Sequence, residues 1–115
     1  MEQLRIVQPD QIAWEPHPQL KNVEVASLPS NRDDQMDLSV MLVRLPPGSV
    51  MEKHAHDCND IAYVIEGRGT IWIEGVGDMP MTEGSFVRIP KGVRHFVHDV
   101  EEELLIYDVF YPFLV

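Results

Sequence analysis

The stretch that decides the architecture runs Gly48-Ser-Val-Met-Glu-Lys-His54-Ala-His56-Asp-Cys-Asn-Asp60-Ile-Ala-Tyr-Val-Ile-Glu-Gly67. If Ser49 to His56 is extended, side chains alternate with period two, and His54 and His56 fall on one face ~6.6 Å apart. That face presents two imidazoles to one ion. The Asp57-Cys58-Asn59 turn then opens a strand at Asp60, whose carboxylate points back across the ladder while Ala62 and Val64 point inward. A second stretch, Gly84-Ser-Phe-Val-Arg-Ile-Pro90-Lys-Gly92-Val-Arg-His95-Phe-Val-His98-Asp99, makes a tight turn at Pro90 and Gly92 and carries His95 on the strand that leaves it. Three neutral imidazoles and a carboxylate suit divalent first-row metals such as iron, manganese, nickel, zinc and copper. They also leave coordination positions open for substrate or water.

Short β-branched runs flank these stretches, punctuated by Gly and Pro. They predict strands at Asp37 to Leu45, Ser49 to His56, Asp60 to Glu66, Thr70 to Glu74, Ser85 to Ile89, Val93 to Asp99 and Leu104 to Tyr111. No long segment carries a clean 3.6-residue period, so the pattern predicts an all-β sandwich or barrel. Before it, Pro9, Pro16, Pro18 and Pro29 break any helical period, although Leu4 to Val7 and Val23 to Val25 read as short strands. The polar cluster Ser30 to Gln35 reads as a loop. The chain therefore divides into an N-terminal arm over 1–36 and a barrel over 37–115. Leu38 to Leu45 and Leu104 to Tyr111 are apolar on both faces, with Arg44 and Asp108 the only charges inside them. Such strands need cover on both sides, which the arm or a second subunit supplies, and a homodimer is expected.

Composition narrows the partners. Nine Lys plus Arg against nineteen Asp plus Glu leave a net charge of -10 over 115 residues, which disfavours nucleic acid and anionic membranes. A chain this long buries roughly two-thirds of its unfolded surface, enough for one core. The single cysteine, Cys58, makes no internal disulfide, the N-terminus does not read as a secretory signal, and no apolar run approaches the ~20 residues of a membrane span, so a cytoplasmic location is expected.

Both stretches resemble the two motifs of the cupin superfamily. The first family motif reads Gly, five residues, His, one, His, three or four, Glu, six, Gly, and Gly48, His54, His56, Asp60 and Gly67 stand in that spacing. The second reads Gly, five, Pro, one, Gly, two, His, three, Asn, matched by Gly84, Pro90, Gly92, His95 and Asp99. The resemblance spans Asp37 to Tyr111. It implies a double-stranded β-helix, or jelly-roll, barrel that holds one divalent transition metal through His54, His56, Asp60 and His95, with iron or manganese ahead of nickel, zinc and copper. Asp60 replaces Glu and Asp99 replaces Asn. Asp is one methylene shorter, by ~1.5 Å of reach, so Asp60 is expected as a direct ligand, as a ligand through water, or as a catalytic general base. The resemblance further implies metal-dependent binding of a small organic substrate, with dioxygenase-type or isomerase- or lyase-type chemistry. The rival is a non-catalytic binding or sensor barrel.

Other residues carry blander readings. Cys58 is a loop filler beside the ligands, His98 faces away from His95, and His17 belongs to a solvated arm. Strand parity also turns Arg94 away, whereas Arg44 and Arg88 have no determined facing. Glu101 to Glu103 reads as a solvated turn, and Trp14, Tyr63 and Trp72 as packing. The substrate-binding residues are not identified.

Overall fold

The computed structural model describes residues 4–18 and 20–114; residues 1–3, at the start of the arm, Gln19 within it and Val115 at the end of the barrel lie outside the described residues. Its strands are β1 (Glu15–Pro16), β2 (Glu24–Ser27), β3 (Ser39–Leu45), β4 (Asn59–Ile73), β5 (Gly77–Thr82), β6 (Phe86–Ile89) and β7 (His95–Tyr111), with a one-turn helix α1 (Asn31–Asp34). They pair antiparallel in the order β1-β2-β3-β7-β4-β5, with β6 on β4. The all-β expectation holds.

Individual elements differ from the sequence reading for identifiable reasons. Asp60 to Glu66 and Thr70 to Glu74 merge into β4, and the two C-terminal runs merge into β7, because the chain bends there without leaving the ladder. The three glutamates at 101–103 are solvated, but they lie within β7 rather than in a turn, and Arg68 pairs with Glu101 and Glu102. Edge strand β5 was not anticipated. Its Pro80 lacks a ladder donor and sits where an edge tolerates one. Ser49 to His56 is not a strand; it meets the sheet through one bridge between His54 and His95. Leu4 to Val7 forms no strand, and the polar cluster after Pro29 is α1, whose first turn is capped by Ser30 Oγ accepting from the Asp33 N–H at 3.0 Å.

The bends explain which side chains meet inside. In β4 the buried positions are Asp60, Ala62 and Val64, then Gly69 and Ile71 after the bend. In β7 they are His95 and Val97, then Val100, Leu104, Ile106, Asp108 and Phe110. Parity changes in both strands, because the β4–β7 register slips between Val64 and Thr70. Asp99 takes a left-handed φ of 49° at the β7 slip. Gly67 sits at the bend with a φ of 98°, and a Cβ there would overlap the Glu103 carbonyl, so only glycine lets the strands approach.

The core lines the inside of the barrel. Leu45, Val64, Met81 and Leu104 are fully buried there, each burial contributing roughly 1.5–3 kcal/mol. Val40 and Leu42, on the opposite parity of β3 from the core residues Met41 and Val43, are buried as well, so cover for that face comes from within the chain. Across β6, β4 and β7, however, Phe86 pairs with Tyr63 and Tyr63 with Tyr107, and all three are exposed on the outside.

Candidate metal centre

His54 and His56 come from a loop that strand β7 holds in place. The Met51 N–H donates to the Val97 carbonyl at 2.9 Å, and His54 and His95 exchange backbone hydrogen bonds of 3.0 and 2.8 Å. Gly92, at a φ of 82°, donates its N–H to the His56 carbonyl at 3.0 Å, which ties the second motif's turn to the first motif's histidine. The rings converge, with centroids 4.4 Å apart for His54 and His95, 4.8 Å for His54 and His56, and 5.3 Å for His56 and His95. One nitrogen from each lies within 4.8 Å of the others.

The backbone also selects the tautomers. A carbonyl only accepts, so Nδ1–H of His54 donates to the Glu52 carbonyl at 2.9 Å and Nδ1–H of His95 to the Val93 carbonyl at 3.0 Å. In the neutral rings each Nε2 is then left as a lone pair, the form a metal needs. Burial, followed by the nearby His54 and His95, pushes His56 down to about 4, and burial also lowers His95. Both are neutral at pH 7 without a metal. Three converging imidazoles are a donor set that fits a divalent first-row ion.

Asp60 stands in the wall of the same cavity but outside that trio. It is 5% exposed, and its Oδ1 is a buried oxygen with no hydrogen-bond partner among the described residues. Asp60 pairs in register with Phe110 and Ala62 with Asp108, making the two acids diagonal neighbours. Burial raises both. For Asp108 the charge of Asp60 adds to burial and holds its carboxyl well above the usual range.

The histidines lie between two spaces. An inner cavity of about 90 Å³ is walled mainly by aliphatic side chains, its polar members being His17, His54, His56, His95, Asp60 and Asp108. An outer vestibule of about 540 Å³ shares His17, His54 and His56 with it and adds Arg32 and Lys53. His17 is therefore not a solvated arm residue. Its Nδ1 accepts from the Leu20 N–H at 3.0 Å, and burial, then His54, lowers its pKa.

The other candidates fall away from the cavity. Cys58 is buried in the core, its thiol raised by burial. His98 lies between Asp78 and Asp99, both at 2.9 Å, and the Asp78 hydrogen bond raises its pKa. Arg94 pairs with Glu74, Arg88 is exposed on β6, and Arg44 stacks on Trp14 and pairs with Glu24. Trp72 lies under Lys53, and Tyr63 faces outward. Sequence reasoning passed over Asp108 although it is the lone acid in an apolar strand, which was the available signal. For His17, a residue between two prolines, there was none.

A jelly-roll barrel with converging histidines defines a class, and the sequence agrees: residues 41–110 match the cupin domain, and the chain belongs to the cupin family. It is 31% identical over 78 residues to an uncharacterised protein of Streptomyces coelicolor, covering 68% of this chain and 73% of that one. Solved structures share the fold, two of them as examples. A predicted oxalate decarboxylase from Thermotoga maritima superimposes with a TM-score of 0.81 at 23% identity, over 94% of this chain and 99% of that one. The polyketide cyclase RemF from Streptomyces resistomycificus gives 0.82 at 18% identity, over 96% and 80%.

Proposed function

We propose that this chain is a metal-dependent enzyme that binds a small organic substrate in its barrel, with dioxygenase-type or isomerase- or lyase-type chemistry. The observation that carries this reading is the placement of His54, His56 and His95, whose convergent nitrogens border a cavity rather than being packed away from one. Three protein ligands leave coordination positions for substrate, as in catalytic centres. Bound there, iron or manganese would supply Lewis acidity or one-electron chemistry. The chain's own residues do the rest. The aliphatic wall excludes water, the vestibule admits the substrate, and Asp60 in the wall serves as base. The fold neighbours named above, a predicted decarboxylase and a cyclase, support an enzyme. Self-association through the outer aromatic row and a cytoplasmic setting belong to the same proposal.

The test is elemental analysis of protein purified without added metal or a metal-binding tag, followed by a substrate screen with O₂ uptake. Near-stoichiometric metal, lost in His54→Ala and His95→Ala, is the expected result. Protein that is metal-free and refuses added metal would instead leave a non-catalytic binding barrel.

A further inference from the structure

The inner cavity and the outer vestibule meet along a mostly apolar border. Besides His54, His56 and His17, the side chains that line both spaces are Leu20, Val25, Met41 and Leu114. They come from four separate places: the loop before β2, β2 itself, β3 and the C-terminal end after β7. The Leu20 N–H donates to His17 Nδ1 at 3.0 Å and its side chain packs against the core, while the Leu114 N–H donates to Ser39 Oγ at 2.9 Å. The third histidine, His95, lines the inner cavity alone, so two of the candidate ligands stand on the border and one inside it. The two spaces differ in size and in character. At about 10–15 Å³ for each water-sized group, the inner cavity of about 90 Å³ takes roughly six to nine of them, against a vestibule of about 540 Å³. The charged side chains Glu15, Arg32, Glu52 and Lys53 line the vestibule and not the inner cavity. Packed side chains yield little to a group wider than the gap between them.

We propose that Leu20 and Leu114 select the substrate by shape at this border. A short, unbranched aliphatic end passes between them into the inner cavity, while the wider and polar remainder of the molecule stays in the vestibule. A chain that branches beside its polar group is stopped by the two leucines. This rests on the reading of the barrel as the substrate site and names the substrate class, a small molecule with a slender aliphatic end. It also gives a role in specificity to two residues that offer a metal no donor atom.

n-Pentanol and neopentyl alcohol are isomers with the same hydroxyl and different branching, so they are the probes. Each is titrated into metal-free and into zinc-treated protein, with zinc content measured. Binding is read by NMR from the methyl groups of Val97 and Ile106, which line the inner cavity and not the vestibule. The parent is expected to take n-pentanol about tenfold or more tighter than neopentyl alcohol at those methyls, a ratio within the cost of overpacking one site. Leu20→Ala and Leu114→Ala should each bring the ratio toward parity by admitting the branched isomer. Val50→Ala, at an exposed side chain that lines neither space, should leave it unchanged. Leu114 is 39% exposed, so its variant carries the test should Leu20→Ala fail to fold. A parent in which both isomers, or neither, reach Val97 and Ile106 overturns the proposal. Leucine variants that keep the parent's ratio, or a Val50→Ala that relaxes it equally, overturn it as well. Protein that refuses zinc yet shows the preference, lost in the leucine variants, supports the border and removes the metal-centre reading instead. Stoichiometric zinc without the preference does the reverse.

Discussion

The three histidines and the two aspartates are expected to respond to mutation differently. His54→Ala and His95→Ala are expected to abolish stoichiometric metal, while Asp60→Ala lowers metal affinity only modestly if the carboxylate is no direct ligand; metal analysis after dialysis reads both. Asp108 has a thermodynamic signature of its own. Its carboxyl is raised in the folded chain, so between the ordinary aspartate value of about 4 and that raised value the native state binds more protons than the unfolded state. Stability therefore falls as pH rises through that window. Asp108→Asn removes the ionising group, so it should stabilise the protein at pH 7 by roughly 1–3 kcal/mol. The gain should shrink as pH falls toward 4. Melting curves of parent and variant at several pH values check this, and a variant that melts lower at pH 7 would mark the pair as structural glue.

Among the elements, the bends set what the sequence could tell. Within either half of β4 or β7 the alternation is readable: Asp60, Ala62 and Val64 point inward as their spacing requires, and His98 points away from His95. Across a bend it is not, because register slips depend on pairing between segments far apart in sequence. That is why Asp108 could not be placed beside Asp60 by counting. The histidines were legible for another reason, their spacing being tied to Gly48, Gly67, Gly84, Pro90 and Gly92. The segment before His54 read as a strand from its alternation, yet backbone bonds to β7 position it without a ladder. Gly67→Ala should destabilise by roughly 2 kcal/mol or more through its overlap with Glu103. Gly75→Ala, at φ 82° in open space, should cost only about 1–2 kcal/mol of backbone strain. Thermal denaturation of the two variants separates overlap from conformation.

Taken as one body, the chain covers one flank of its sheet itself and leaves another bare. Phe86, 63% exposed, heads the row that continues through Tyr63 and Tyr107. Light scattering on the parent is expected to give twice the chain mass, and Phe86→Glu should return it to that of one chain. A parent with the mass of a single chain removes the dimer. Among the described residues, no helix is long and apolar enough to cross a membrane. The kink at Asp99 also bears on descent. His95 and Asp108 stand an odd number of positions apart, so a straight ribbon would set them on opposite sides. Deleting a single codon between the kink and Asp108, with the kink kept, would leave the metal ligands where they are and turn both the acid and Phe110 outward, exchanging an acidic wall for an oily one. Two barrels of different appetite are thus neighbours in sequence space, one small deletion apart.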